Sequence, residues 1–127
     1  VVPGLTDQEI PAILKAAAEA GALSASYTIL RLPYSVKDLF IDWLENHFPD
    51  RKEKILNAIR DVRGDRNGDK IYDATFGTRM TGEGAYAESI KNMFQVFRKK
   101  YGLDQPSMMG SSSKESFRRP GDQLQFF

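Results

Sequence analysis

The chain reads as a helix-rich α/β domain, on three observations. It opens with a β-branched pair running into Pro-Gly (Val1-Val2-Pro3-Gly4), the pattern of a strand end followed by a turn. A capped amphipathic stretch follows at once. Residues 25–32, Ala-Ser-Tyr-Thr-Ile-Leu-Arg-Leu, then form a run of β-formers closed by Pro33. Strand, helix, strand in this order is a βαβ unit, a connection that is right-handed almost without exception.

Taken in order, Thr6-Asp7-Gln8-Glu9 has the form of a capping box, with Glu9 three residues after the Thr hydroxyl. Ile10, Ile13, Leu14, Ala17 and Ala18 follow at helical spacing, Pro11 falls in the first turn, and Gly21 suits a left-handed stop. The spacing predicts a helix over 7–20. Residues 25–32 carry apolar groups at consecutive positions, as in a parallel strand buried on both faces.

Ser35 caps a second helix with the stripe Val36, Leu39, Phe40, Trp43, Leu44 and Phe48, ended by Pro49. Asp50 caps a third, with Glu53 three residues on and Ile55, Leu56, Ile59 and Val62 facing inward. Residues 64–70 make a polar turn, Ile71-Tyr72-Asp73 a short extended piece, and 76–84 a glycine-punctuated loop. The last helix is predicted over 85–101, with Tyr86, Ile90, Met93, Phe94, Phe97 and Tyr101 on one face. Arg98, Lys99 and Lys100 stand where the helix dipole favours cations, and Gly102 follows as the stop. From Asp104 onward the composition turns linker-like and ends in an apolar peptide. Two regions are therefore expected, 1–103 and a flexible tail over 104–127.

The 127 residues suffice for one core, and 41% hydrophobic with 28% charged is close to the globular average. A net charge of +1 gives no electrostatic reason to invoke nucleic acid or a membrane. With no Cys, this stretch holds no disulfide, thiolate metal site or iron–sulfur ligand. No apolar run approaches the ~18 residues of a membrane helix, and no targeting segment is visible, so a cytoplasmic setting is expected. The chain opens without an initiator Met. Its first residues are expected to finish a strand that begins upstream.

Several residues invite chemistry. Asp65-Arg66-Asn67-Gly68-Asp69 has oxygen ligands at alternate positions, as a calcium loop needs, but Lys70 stands where the loop's glycine belongs and Phe76 where its bidentate Glu belongs. A polar turn explains it. His47, the one histidine, sits near a helix C-terminus, where a cation is welcome. No Ser nucleophile has a base near it in sequence, and no glycine loop fits a phosphate fingerprint. Arg31, at the end of an apolar strand beside Leu32-Pro33-Tyr34, is either a substrate contact or a solvated strand end, since ligands gather at the C-terminal ends of parallel strands. Arg79, in Phe76-Gly77-Thr78-Arg79-Met80-Thr81-Gly82-Glu83-Gly84, is either an anion contact or part of a tight connection anchored by Phe76 and Met80.

Three stretches, in order, carry a family resemblance. They are Val2-Pro3-Gly4-Leu5-Thr6-Asp7-Gln8-Glu9-Ile10; Ile29-Leu30-Arg31-Leu32-Pro33 with Val36-Lys37-Asp38-Leu39-Phe40 and Trp43-Leu44; and Ile71-Tyr72-Asp73 with Phe76-Gly77-Thr78-Arg79-Met80-Thr81-Gly82. Together, over residues 1 to about 103, they resemble the C-terminal portion of a bacterial radical S-adenosylmethionine protein of the DNA repair photolyase branch, related to spore photoproduct lyase.

The resemblance implies a C-terminal fragment of a partial (β/α) barrel with a helical C-terminal extension, residues 1–5 ending the fifth strand and 25–32 forming the sixth. It implies S-adenosylmethionine and a [4Fe-4S] cluster in the full-length parent, held by a C-x3-C-x2-C loop that this chain lacks. This stretch would then bind neither cofactor alone and would be inactive without the iron–sulfur half, its natural partner. It would contribute one wall: Pro3 and Gly4 near the cofactor, and Arg31, Tyr34 and Arg79 toward a substrate that the residues do not identify, DNA entering as a partner of the parent only through the family's DNA-repair label. Strand edges deprived of neighbours are expected either to self-associate or to be covered by a mostly helical packing.

The end of the chain carries a second resemblance. Gln123-Leu124-Gln125-Phe126-Phe127 is similar to the short peptide by which bacterial replication and repair proteins dock on the DNA sliding clamp, with Gln125 and Phe126 departing from the usual residues. This implies partner contacts by Gln123, Leu124, Phe126 and Phe127, and leaves open a non-enzymatic module that binds through its tail. An apolar chain end packed on its own domain is the rival reading.

Overall fold

In the computed structural model, residues 1–65, 68, 70–72 and 74–106 are described. Four helices dominate: α1 (Ile10–Glu19), α2 (Val36–His47), α3 (Lys52–Val62) and α4 (Gly84–Lys100). Short 3-10 turns, Asp7–Glu9 and Pro49–Arg51, lead into α1 and α3. Helix α4 packs on α1 and on α3, and α2 on α3.

The structure corrects the predicted fold class. Among the described residues there is no β-strand and hence no fragment of a (β/α) barrel. Residues 25–32 do run extended, but their backbone bonds go to three separate parts of the chain. The Ala25 amide donates to Leu103 O (3.0 Å), the Ile29 amide to Met80 O (2.8 Å) and the Leu30 amide to Val1 O (2.8 Å). A ladder needs successive bonds to one neighbour. Here Ser24 and Asp104 make one isolated antiparallel bridge, and the Val1 contact stops after one residue. The β-propensity of 25–32 is satisfied by packing instead. Ile29 and Leu32 are fully buried, one in each of two clusters.

Those clusters divide the molecule. Ile29, Ile10 and Leu14 of α1, Val62 of α3, Ala87, Ile90 and Phe94 of α4, and Leu103 form the first. Leu32, Leu44 of α2, Ile55, Leu56 and Ile59 of α3, and Ile71 form the second. The predicted inward faces of α3 and α4 are the observed ones, but Ile13 on the predicted face of α1 and Val36, Leu39 and Trp43 on that of α2 are exposed. Ile71 is buried in the short piece expected to be extended, though its described residues, Ile71 and Tyr72, form no strand.

The caps differ from expectation. Thr6, Ser35 and Asp50 make no side-chain capping bond. The Thr6 hydroxyl instead accepts from the Val2 amide (2.8 Å), and Leu5 and Thr6 amides donate to Val2 O. Pro3 and Gly4 (φ +77°) hold the centre of that turn, the type II arrangement. Gly21 and Gly102 take the left-handed stops expected of them (φ +89° and +68°). No helix among the described residues is long and apolar enough to cross a membrane.

Candidate functional site

The site is built around a residue that is not itself exposed. Arg63 follows the last turn of α3 and is 1% exposed. Its Nη2 donates to Leu30 O (2.6 Å), and its Nη1 to Arg79 O (3.1 Å) and Thr78 O (3.4 Å). One guanidinium thus ties the extended segment to the glycine-rich loop, two regions far apart in sequence. The planar fork of Arg, with five donors, suits such a junction in a way that an ammonium does not.

The tie places two of the predicted site residues near one another. Arg31, next to the tied Leu30, is exposed, with Nη1 4.0 Å from Met80 Sδ. Arg79 is half-buried, and its guanidinium lies 5.4 Å from the centre of the Phe76 ring. Phe76 is 88% exposed, so it does not serve as the buried anchor its position suggested. Tyr34 is 95% exposed and stands at φ +50°, in the left-handed region that few non-glycine residues adopt. Left-handed tyrosine carries a backbone cost of about 1 kcal/mol. The two tied segments thus carry two guanidinium groups, an aromatic ring beside one of them and, after Pro33, a second ring exposed to solvent. Groups of these kinds can hold an anion by charge-assisted bonds and a planar group by stacking.

The loop that carries Arg79 is held from within. Arg79 and Gly82 amides donate to Thr75 O (3.1 Å) and Thr78 O (2.7 Å), and the Glu83 amide to Val62 O (2.9 Å). Gly82 (φ +73°) lies against α3, where a Cβ would come 2.8 Å from Val62 O.

Pro3 and Gly4 fall elsewhere. Pro3 is buried, and the side of Gly4 on which a Cβ would sit faces α3, 3.1 Å from Ala58 Cβ. Its carbonyl accepts from Arg51 Nη2 (3.0 Å). These two residues build a close turn-to-helix contact, and the geometry around them does not fit a bound S-adenosylmethionine. A [4Fe-4S] cluster takes thiolate ligands, and the chain has no Cys to offer. Among the described residues no group of three His, Asp or Glu converges on a metal position.

The remaining candidates have local roles. His47 Nδ1 lies 3.0 Å from Trp43 O, and its ring stacks on Trp43. Asp65 Oδ2 accepts from the Lys70 amide (2.8 Å), closing the polar turn. Arg66, Asn67 and Asp69 lie outside the described residues, as do Gln123, Leu124, Phe126 and Phe127 of the terminal peptide. A concavity of about 510 Å³ at the start of α4 is lined by Asp61, Gly64, Gly84, Ala85, Tyr86 and Ser89, none of which the sequence had singled out as a site residue.

Sequence reasoning missed Arg63, though a signal was present. It falls four residues after Ile59, on the same stripe as Ile55, Ile59 and Val62, so a charged group at a core-facing position was legible. Compared with protein-family models, curated proteins and solved structures, the chain matches none.

Proposed function

We propose that this chain is the substrate-facing part of a bacterial radical S-adenosylmethionine enzyme that acts on DNA in the cytoplasm, and that Arg31, Arg79, Phe76 and Tyr34 are its contact surface. One observation carries the reading: the Arg63 junction, which spends a buried guanidinium to hold the backbone at Leu30 and at Thr78–Arg79 together and so joins the two segments that carry Arg31 and Arg79. The order of the motifs over residues 1–103 is the reason for assigning that surface to this family.

In this reading Arg31 and Arg79 bind phosphate, Phe76 and Tyr34 stack on bases, and Arg63 positions the loop without touching substrate. The cofactor chemistry belongs to residues outside this chain, so the chain alone is catalytically inactive. The test is a titration of a fluorescein-labelled single-stranded 12-mer with the chain and with R31Q and R79Q. Each substitution is expected to weaken binding about tenfold, the equivalent of one charge-assisted bond; equal affinity across the three proteins overturns the surface assignment. The family assignment has its own test in the gene. A C-x3-C-x2-C loop encoded upstream of Val1 supports it, and a start codon immediately before Val1 rejects it.

The partner reading for the terminal peptide is docking on the DNA sliding clamp through Gln123, Leu124, Phe126 and Phe127. Purified clamp is expected to be retained by the immobilised chain and lost on deletion of residues 123–127. Retention that survives the deletion overturns it.

A further inference from the structure

Helix α2 carries more apolar surface than the fold buries. Leu44 is fully buried, and Phe40, Ile41 and Phe48 pack partly buried against the second cluster. Val36, Leu39 and Trp43 stand at positions i, i+3 and i+7 and so share one face of the helix. All three are exposed, Leu39 to 67%. A single exposed apolar side chain is ordinary on a protein surface, whereas three on one helix face form a patch.

The patch is held in shape before anything binds it. The Trp43 ring stacks on both Phe40 and His47, with ring centres 5.8 Å and 5.3 Å apart, and His47 Nδ1 lies 3.0 Å from Trp43 O. A ring already fixed by its neighbours loses little freedom on contact, which is the property of an interface anchor.

The charge beside the patch has one sign. Asp38 and Asp42, four residues apart and both exposed, stand about a third of a turn round the helix from it. Neither carboxylate has an ion-pair partner among the described residues, whereas the Glu45 carboxylate is held by Lys52 Nζ (2.7 Å). Helix α2 thus has three carboxylates against one lysine, in a chain whose net charge is +1.

We infer that this face of α2 is a docking surface for an amphipathic helix of a partner protein that carries Lys or Arg along one flank of its apolar stripe. Val36, Leu39 and Trp43 take the partner's apolar side chains, and Asp38 and Asp42 pair with its cations. A second α2 laid antiparallel supplies the wrong charge, because each acidic flank would then meet its own copy. The inference uses no residue of the Arg31–Arg79 surface and does not rest on the enzyme reading.

Trp43 is the chain's one tryptophan, so its emission reports on this face directly. The probe is a synthetic helical peptide of leucine and lysine, with its leucine–glutamate counterpart as the charge control. The Leu-Lys peptide is expected to shift Trp43 emission to the blue and to bind at least tenfold more tightly than the Leu-Glu peptide. The double variant D38N/D42N is expected to weaken that binding about fivefold, as the loss of two rim ion pairs would, and L39S about tenfold or more. V96S, which removes an exposed apolar side chain from α4, is expected to leave it unchanged. Equal binding of the two peptides, unchanged affinity in L39S or in D38N/D42N, or a loss in V96S equal to that in L39S overturns the inference. Trp43 emission already shifted to the blue in the free chain also overturns it: reverting on dilution, it assigns the face to a second copy; reverting on deletion of residues 107–127, to the chain's own tail. Circular dichroism must match in all variants.

Discussion

Tyr86 and Asp7 meet at the junction of α4 with the turn before α1, the tyrosine hydroxyl donating to Asp7 Oδ2. Asp7 is buried, and its other oxygen has no hydrogen-bond partner. The Tyr86 hydroxyl is pushed up to about 12, first by burial and then by the Asp7 carboxylate that accepts its proton. The folded chain therefore keeps this proton across a range in which the unfolded chain, titrating near 10, has lost it. The unfolded state binds fewer protons there, so stability is full below pH 10 and falls as pH rises toward 12. Tyr86→Phe leaves a buried carboxylate without its donor and is expected to cost about 1–3 kcal/mol at pH 7. Urea midpoints measured from pH 7 to 12 should show both that loss and a shallower alkaline decline in the variant.

At the scale of elements, the glycine-rich loop is shaped by where its glycines stand. Gly82 lies against α3, and Gly77 has open space where a Cβ would be. Both are left-handed (φ +73° and +100°). Gly77→Ala is expected to cost only the backbone term, about 1 kcal/mol, whereas Gly82→Ala adds a clash with Val62 O and should cost about 2–4 kcal/mol. Chemical denaturation of the two variants distinguishes the cases, and equal losses would mean that the loop is not anchored on α3.

The same contrast shows what the chain's residue pattern reveals and what it hides. The stripe Ile55, Leu56, Ile59 and Val62 announces α3 because helical periodicity is local, and Arg63 on that stripe announces a buried charge. Residues 25–32 are misread as part of a sheet because a run of β-formers reports an extended, buried backbone and not its partners. Which backbone groups lie beside Ala25, Ile29 and Leu30 is decided by the packing of α1 and α4, and no local pattern carries it. Of the candidate site, Arg31 and Arg79 were legible as cations near apolar anchors, and Tyr34 as a ring after a proline. The exposure of Phe76 was not, because an aromatic beside a glycine reads equally well as an anchor or a platform.

At the scale of the whole molecule, residues 25–32 are a spine with a helical layer on each side. Ile29 serves the α1–α4 cluster and Leu32 the α2–α3 cluster. The mostly helical packing is one of the two forms expected of a chain whose extended segments lack neighbours. The backbone hydrogen bonds along the spine go to three different regions: the first residue, the loop at Met80, the end of α4 at Leu103.

That scattering governs the order of assembly. Helices α1 to α4 can form from near neighbours, but the spine has nothing to bind until the chain's start, its middle and the far end of α4 have all arrived. Contacts between residues so distant along the chain are closed late, because loop entropy is spent before they return anything. Ile29→Val, which trims one methylene from the spine, is expected to cost about 1 kcal/mol. The loss should appear as roughly fivefold faster unfolding with refolding nearly unchanged. A stopped-flow chevron in which the refolding limb moves instead would make the spine the nucleus. Otherwise it is the latch, the last part to close and the first to give way.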